Sequence, residues 1–281
     1  MGIRGELKQA RDSEELVRLV RREGGRAGFG TERGAASDRA VLATCDLRPY
    51  GDDAHDWWVA SDLSELVVGG PLRVDHVLGI GGASTTLASW TVRRPAGRAL
   101  DLGTGCGVQA LHLTGHARSI VATDISERAL AYAAFNVALA ASAGADAVPE
   151  VELVAGDLLD PVAGQQFSLV VSNPPFVITP RDESLPLYEY RDGGRAGDAL
   201  VRSLVRQVGT VLEPGGLAQF LGNWEVPAGR TWRDVWTEWL DEQARDGGES
   251  QKRPHRAQPL LDSLDLVAGQ RGDERLGQFR D

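Results

Sequence analysis

RALDLGTGCG, residues 98–107, is a short apolar run that ends in glycines at three alternate positions. Residues 108–113, directly after it, have the composition of a helix. Glycines at this spacing let the backbone pass close beneath a ligand, where a Cβ would collide. A nucleotide-phosphate site would use similar glycines. Here, however, the P-loop lysine is missing, and Val108 occupies the last glycine position of GxGxxG. The stretch therefore predicts a strand, a ligand-binding turn and a helix.

Further β-type runs follow this stretch and alternate with helical ones. The β-type runs are residues 119–123, 151–154, 167–171 and 217–221, with the turn Pro214-Gly215-Gly216 before the last. The helical stretches are residues 108–113, 127–141 and 198–212, with Ser126 at an N-cap position. Trp232, Trp236 and Trp239 share one face of a further helix, which favours core packing. Strands that alternate with helices predict a doubly wound α/β domain with a mainly parallel sheet.

The chain divides into four predicted segments. These are an N-terminal helix and linker at 1–38, a small β pre-domain at 39–74, the main α/β domain at 75–240 and a polar tail at 241–281. The pre-domain is predicted from β-type runs at 40–44 and 57–60, with a turn between them indicated by Pro49, Gly51 and the aspartates Asp52 and Asp53. The tail is expected to be partly disordered and without convincing strands, because apart from residues 260–267 little in it could bury a core.

The charge balance of the chain is acidic, with 281 residues and a formal net charge of −10. Phosphate neutralisation supplies most of the affinity for duplex nucleic acid, so this balance argues against broad, non-specific nucleic-acid binding. The alternative is a local basic groove for nucleic acid, built from Arg181, Arg191 and Arg195.

Cysteine usage and hydropathy indicate the compartment. The chain has two cysteines, Cys45 and Cys106, which fits a reducing cytoplasm and argues against a cysteine-based zinc site. The histidines show no metal-ligand spacing, so no metal is expected. No run approaches the roughly 18–20 apolar residues of a membrane helix, and the charged N-terminus lacks the apolar centre of a signal peptide. We therefore expect a cytoplasmic protein that does not enter a membrane.

Acidic residues end the next two predicted strands. Asp124 follows the glycine loop by about 20 residues, where a carboxylate can accept both hydroxyls of a ribose. Asp157 ends the third strand, within reach of an adenine amino group. Ligands of open α/β sheets bind at the C-terminal ends of the strands, so these positions together predict a nucleoside pocket. The alternative for either aspartate alone is a turn or a helix cap.

The motifs DLGTGCG at 101–107, TD at 123–124 and GDLL at 156–159 resemble the motif succession of class I S-adenosylmethionine-dependent methyltransferases. The resemblance implies a Rossmann-like methyltransferase fold and S-adenosyl-L-methionine as cofactor. It assigns the amino-acid end of the cofactor to the glycine loop, the ribose to Asp124 and the adenine to Asp157 and Leu158. The expected cofactor set is Asp101, Gly103, Thr104, Gly105, Gly107, Asp124, Ile125, Asp157, Leu158 and Asn173.

Asn173-Pro174-Pro175-Phe176 follows the fourth predicted strand and faces the same pocket. The prolines stiffen the loop and remove two N–H donors. The Asn173 side-chain oxygen and the Pro174 carbonyl can then accept both hydrogens of an NH2 group and aim its lone pair at the methyl carbon. In-line displacement at a sulfonium depends on this alignment and needs no strong base. We expect these four residues to be the catalytic loop, with Phe176 stacking on a planar substrate group; the alternative is a rigid strand-to-loop turn.

The loop is similar to the NPPY/F signature of methyltransferases that act on amide or exocyclic amine nitrogens. These are the release-factor and ribosomal-protein glutamine enzymes and the adenine-N6 and guanine-N2 enzymes. Residues 188–198 resemble the glutamine enzymes through Glu189 and the pair Gly193-Gly194, whereas Phe176 stands where those enzymes more usually have tyrosine. The resemblance favours a glutamine in a translation factor or ribosomal protein, with Glu189 and Arg191 in substrate binding. The alternative is a base amine in structured RNA.

Gly81, Gly82, Ser84 and Thr85 precede the first strand of the main domain and are expected to line the substrate mouth. The alternative is a glycine-rich turn that caps a helix. Two other functions stay open, because one fold serves many. They are a nicotinamide-dependent oxidoreductase and a non-catalytic cofactor-binding protein. Nothing in the sequence determines the oligomeric state.

Overall fold

The computed structural model describes residues 43–142, 148–175, 198–246 and 264–268. The predicted segment at 1–38 lies outside these ranges. Several predicted site residues also lie outside them, namely Phe176, Arg181, Glu189, Arg191 and Arg195. Within the described ranges, none of the helices has the length and apolarity that a membrane crossing requires.

An antiparallel hairpin precedes the main sheet. Its strands are β1 (Asp46–Gly51) and β2 (Asp56–Ser61). Ala43 and Thr44, the last two residues of the run predicted at 40–44, precede β1, and residues 40–42 lie outside the described ranges. Pairing with β2 selects the later residues, because a short strand needs a partner for its backbone groups.

The turn of the hairpin lies at 52–55 and includes the predicted aspartates Asp52 and Asp53, whereas Pro49 and Gly51 are both in β1. The Asp52 side chain accepts the backbone N–H groups of Ala54 and His55 at 3.0 and 2.9 Å. An aspartate that binds the backbone ahead of it makes a turn without proline or glycine. Pro49 is tolerated in β1 because a two-stranded ribbon leaves one edge unpaired.

Six parallel strands form the main sheet. They are β3 (Ala96–Leu102), β4 (Ala117–Asp124), β5 (Glu150–Ala155), β6 (Phe167–Ser172), β7 (Leu212–Gly222) and β8 (Leu264–Ala268). Their order is β5-β4-β3-β6-β7-β8, and every neighbouring pair is parallel. The predicted doubly wound α/β fold is confirmed.

Helices cover both faces of this sheet. They are α1 (Glu65–Val68), α2 (Gly82–Trp90), α3 (Val108–Leu113), α4 (Glu127–Ser142), α5 (Ala199–Gln207) and α6 (Trp232–Asp246). Leu87 of α2 and Leu113 of α3 pack in one apolar cluster with β3, β4 and β6. Residues of α5 and α6 pack in another, where Trp236 is fully buried. The tryptophan face is therefore core, as predicted.

Two predicted boundaries change for reasons that lie in the packing. The helix predicted at 198–212 ends at Gln207, because a 3-10 turn follows and Leu212 already pairs with Phe167 of β6. The next recorded pair joins Leu217 to Leu169, so residues 213–216 bulge out of register. The predicted turn at 214–216 is thus a bulge within β7. At α4, the Ser126 hydroxyl accepts the Ala129 N–H at 3.3 Å, which confirms the predicted N-cap.

The polar tail contributes to the fold. α6 continues to Asp246, past the predicted boundary at 240, and β8 adds a parallel strand to the edge of β7. We did not predict β8, because five residues among polar neighbours carry little β signal. The open edge of β7 supplies the backbone partners that make this run a strand. The disorder predicted for the rest of the tail falls outside the described residues.

Candidate functional site

The order of the strands reverses beside β3. From β3 the chain runs outward through β4 and β5 and then returns to β6 on the other side of β3. Such a switch point opens a crevice at the C-terminal ends of the strands. We call the region formed by the C-terminal ends of β3, β4, β5 and β6, together with the residues that follow them, the strand-end edge. The predicted site residues on these four strands therefore share one region.

The glycine loop joins β3 to α3. Gly103, Gly105 and Gly107 have φ angles of 70°, 56° and 86°. Residues with side chains disfavour this left-handed region. A Cβ on Gly107 would also lie 3.2 Å from the Cα of Ala133 in α4. Glycine is therefore needed both for the turn and for the close approach of the loop to α4.

Asp101 is fully buried at the end of β3. Its Oδ2 accepts the Thr104 hydroxyl at 2.6 Å and the Ala110 N–H at 2.9 Å. Its Oδ1 is buried without a hydrogen-bond partner. Burial raises the pKa of Asp101 to about 7, against the hydrogen bonds from Thr104 and Ala110, which lower it. The residue is a buried acceptor that a cationic or N–H donor could satisfy.

Asp124 ends β4 and is tied to the glycine loop. One carboxylate oxygen accepts the Gly105 N–H at 2.8 Å and the other accepts the Ser126 N–H at 2.9 Å. Burial raises the pKa of Asp124 more than these bonds lower it. Each oxygen keeps a second lone-pair direction, so the carboxylate can accept two further hydroxyl groups. Ile125, the next residue, is a 60% exposed apolar side chain beside it.

The turn after β5 is backbone-strained. Leu158 has a φ of 45°, which is unusual for a residue with a side chain. A Cβ on Gly156 would lie 2.9 Å from the Pro161 ring. The turn leaves the Asp157 side chain exposed after the end of β5. Strain of this kind persists where the surroundings hold the backbone, and it clusters at ligand sites.

Asn173 follows β6 directly and is the first residue of the Asn-Pro-Pro loop. Its Nδ2 donates to the Ser84 hydroxyl oxygen at 3.3 Å, and its Oδ1 is buried without a hydrogen-bond partner among the residues that the structure describes. Ser172, before it, donates its hydroxyl to the Leu102 carbonyl at 2.8 Å. The loop is thereby tied to β3, and Pro174 is buried within it. Asn173 presents an unused acceptor at the strand-end edge.

The structure brings Ser84 to this loop and leaves Thr85 outside it. The Thr85 side chain is exposed, and its hydroxyl donates to the Gly81 and Gly82 carbonyls at 3.3 and 3.0 Å. Gly81 is the N-cap of α2 and Gly82 is its first residue. The alternative of a glycine turn that caps a helix therefore describes these glycines, whereas Ser84 contacts the Asn-Pro-Pro loop.

The family of this chain follows from its match to a protein-family model. A family model described as "Methyltransferase small domain" matches residues 79–239, more than half of the chain. The chain belongs to this family. Membership confirms the resemblance to class I methyltransferases, and it argues against the nicotinamide-dependent alternative.

Curated relatives of this methyltransferase domain have names that refer to a ribosomal protein, a release factor or ribosomal RNA. A ribosomal protein uL3 glutamine methyltransferase from Xanthomonas campestris is 39% identical over 137 residues, which cover 46% of this chain and 42% of the relative. A release factor glutamine methyltransferase from Deinococcus radiodurans is 37% identical, over 42% of this chain and 43% of the relative. A ribosomal RNA small subunit methyltransferase C from Alcanivorax borkumensis is 26% identical, over 52% of this chain and 36% of the relative. The chain spans less than half the length of these relatives.

Asn136 of α4 supports the methyltransferase site and was not predicted. It is fully buried, and its Oδ1 accepts the Ala60 N–H at 2.8 Å. Its Nδ2 donates to the Ala60 and Cys106 carbonyls at 2.9 and 2.7 Å. One side chain thus joins β2, α4 and the glycine loop. A lone asparagine within an alanine-rich helix was the available signal, and it did not indicate its distant partners.

Asp62, just after β2, is a second buried acidic residue that was not predicted. Arg128 makes two hydrogen bonds to it, and the Tyr132 hydroxyl and the Val77 N–H donate at 2.8 and 2.9 Å. Burial raises the pKa of Asp62, but the bonds from Arg128, Val77 and Tyr132 outweigh it and lower the pKa overall. We call these four residues the Asp62 cluster. It fastens the segment after the hairpin to α4.

Proposed function

We propose that this protein is an S-adenosylmethionine-dependent N-methyltransferase that acts on a planar amide or amine nitrogen, with a protein glutamine side chain as the favoured substrate. The observation that carries the proposal is the buried, unpartnered Oδ1 of Asn173 at the strand-end edge. A buried acceptor without a partner is costly, so its retention is explained by a substrate donor that satisfies it.

The residues of the strand-end edge fit the proposed cofactor. The unpartnered Oδ1 of Asp101 suits the ammonium of a methionine moiety, and the glycine loop has open space beside Gly103 and Gly105. Asp124 can accept the two ribose hydroxyls, and Ile125 offers an apolar surface for a purine. Asp157 and Leu158 would receive the adenine edge. When bound, S-adenosylmethionine supplies an electrophilic methyl group on a sulfonium.

Asn173 and Pro174 would orient the nucleophile. The Asn173 Oδ1 and the Pro174 carbonyl each accept one hydrogen of the substrate NH2 group, which fixes the plane of the nitrogen. Alignment of a nucleophile with a reacting carbon can contribute several kcal/mol to a displacement. The buried Pro174 stiffens the loop, because its ring fixes φ. Phe176, which is expected to stack on the substrate, completes the proposed loop.

A protein substrate in translation is favoured over RNA. Two relatives with 39% and 37% identity carry glutamine-methyltransferase names, and the RNA methyltransferase relative is 26% identical. The net charge of −10 is also unfavourable for a large phosphate-binding surface. We therefore propose a release factor or ribosomal protein as partner, met in the cytoplasm, with Glu189 and Arg191 in its recognition.

Methyl transfer from labelled S-adenosylmethionine tests the proposal. Purified release factors, ribosomal protein uL3 and ribosomal RNA are offered separately to the wild type and to Asn173→Ala. We expect label on a protein glutamine, and a loss of about 100-fold in the variant, since a small misplacement of reacting groups costs that much. Label on RNA that falls steeply with added salt would support the base-amine alternative. Cofactor binding without transfer to any acceptor would favour a non-catalytic protein.

A further inference from the structure

Buried glutamines hold α2 at both ends. Near its start, Gln109 of α3 donates its Nε2 to the Ser84 carbonyl at 2.8 Å. At its end, Gln219 of β7 donates its Nε2 to the Trp90 carbonyl at 3.1 Å and accepts the Val92 N–H at 2.7 Å. Both glutamine side chains belong to residues that are at most 5% exposed. Hydrogen bonds at both ends restrict the movement of α2 along the sheet.

The apolar side of α2 agrees with this anchoring. Leu87 and Ala88 are buried, and Leu87 packs against Ala99 and Leu169 in the core. Within the described ranges, the Ser84 hydroxyl makes no hydrogen bond to the helix backbone, unlike those of Thr85 and Ser89. It instead accepts the Nδ2 N–H of Asn173, 89 positions away in the chain. The anchored helix therefore presents one hydroxyl to the Asn-Pro-Pro loop.

This contact holds the Asn173 side chain in the observed arrangement, in which the Nδ2 end of the amide lies at Ser84. The carbonyl and amino ends of an amide point in different directions, so an Nδ2 held at Ser84 turns Oδ1 away from it. The amide in the opposite orientation would present two N–H donors to a substrate NH2 group, and both groups would then donate. Only one of the two orientations supports the proposed chemistry.

We propose that Ser84 is a positioning residue that holds the Asn173 side chain in place, with Gln109 holding the Ser84 backbone. This inference rests on the proposed function of Asn173. Ser84 acts through Asn173 and need not touch the substrate. Its effect should therefore appear in the rate of transfer and leave cofactor affinity unchanged.

Ser84→Ala is the direct test, measured on the full chain with the substrate found above. We expect kcat to fall about three- to tenfold, the effect of one net hydrogen bond on a barrier, with KM and S-adenosylmethionine Kd within twofold of the wild type. Ser84→Thr keeps the hydroxyl and should recover most of the rate. Ser89→Ala removes an exposed hydroxyl that donates to the Thr86 carbonyl in the same helix, and it should change nothing.

The side-chain amide signals of Asn173 provide a readout that does not require a substrate. In a 15N-labelled protein, they should shift in Ser84→Ala and in Gln109→Met and stay in place in Ser89→Ala. The Asn173→Ala protein assigns them, because its spectrum lacks them. Thermal melts check that each variant is folded.

The outcomes separate the two proposals. Unchanged Asn173 signals together with an unchanged kcat in folded Ser84→Ala overturn the positioning role. A loss of cofactor affinity in Ser84→Ala also overturns it, because Ser84 would then act in the cofactor pocket. Full activity in Asn173→Ala, by contrast, refutes the proposed function of the loop itself, whatever Ser84 does.

Discussion

The strand-end edge and the Asp62 cluster each contain a buried aspartate, but the hydrogen-bond partners of the two aspartates differ. Asp101 at the edge keeps an oxygen without a hydrogen-bond partner, and burial raises its pKa to about 7. In Asp62, burial also raises the pKa, but hydrogen bonds from Arg128, Val77 and Tyr132 lower it overall. Burial acts in the same direction on both carboxyls, so the partners decide the sign.

This difference distinguishes a ligand site from a structural one. A buried carboxylate whose partners are all in the protein stabilises the fold and has no need of a ligand. A buried acceptor left without a partner costs stability until something binds it. Mutations at the two regions should therefore affect different measurements: cofactor affinity at the strand-end edge, and the free energy of unfolding at the Asp62 cluster.

The largest effect is expected for Asp124→Ala. Two proposed hydrogen bonds to ribose hydroxyls are lost, and charge-assisted bonds contribute about 2 kcal/mol each, so S-adenosylmethionine affinity should fall about 1,000-fold. Isothermal titration measures it. Folded Asp62→Ala is the matched control at the structural region and should bind as the wild type does. Equal losses of S-adenosylmethionine affinity in both variants would contradict the distinction between a ligand site and a structural cluster.

Asp62→Ala should instead lower the free energy of unfolding, by about 3 kcal/mol. Removal of the buried Asp62 carboxylate leaves Arg128, Tyr132 and Val77 without their shared hydrogen-bond acceptor. Urea denaturation with S-adenosylmethionine absent measures the change. A variant as stable as the wild type would show that the Asp62 cluster does not hold the hairpin segment in place.

Asp101→Asn should remove a pH dependence of stability. The folded pKa is raised from 3.8 to about 7, so between these values the folded state binds a proton that the unfolded state has released. The stability that this bound proton contributes is complete below the pKa of the unfolded state and is lost as pH rises through the folded pKa of about 7. From pH 5 to pH 8 the wild type should lose roughly 2 kcal/mol more than Asp101→Asn. Parallel profiles from denaturation at each pH would refute the raised pKa.

Tyr132→Phe is the mildest test of the Asp62 cluster. It removes one hydrogen bond to Asp62 and leaves those from Arg128 and Val77 in place. The free energy of unfolding should fall by about 1 kcal/mol, and S-adenosylmethionine affinity should not change. An unchanged free energy of unfolding would show that the hydrogen bond from the Tyr132 hydroxyl to Asp62 does not stabilise the fold.

The sequence predicted those parts of the fold that depend on neighbours in the chain. The glycine loop was predictable because left-handed φ angles at 103, 105 and 107 are a local demand on residue type. α3 has the predicted bounds, since its apolar residues and the glycine before it are adjacent in sequence. Pro49 and Gly51 were predicted in the hairpin turn and lie in β1, and β8 was missed, because strand bounds depend on a partner strand.

The candidate site was predicted in outline for the same reason. Each of Asp101, Asp124, Asp157 and Asn173 lies at or just after the C-terminal end of a strand of a parallel sheet, and topology brings such positions to one edge. The sequence could not show which acceptors remain unpartnered, because that depends on side chains elsewhere. Ser84 was predicted to line the substrate mouth, but its contact with the Asn173 Nδ2 was not predicted.

The sequence by itself determined the alternation of strands and helices, the glycine turn and the family motifs, because each of these is encoded in residues a few positions apart. Only the tertiary structure decided which polar groups meet. Ser84 and Asn173 are 89 positions apart, Ala60 and Asn136 are 76 apart, and Asp62 and Arg128 are 66 apart. Such pairs leave no periodic trace in the chain, since packing of the helices on the sheet, and not local geometry, brings them together.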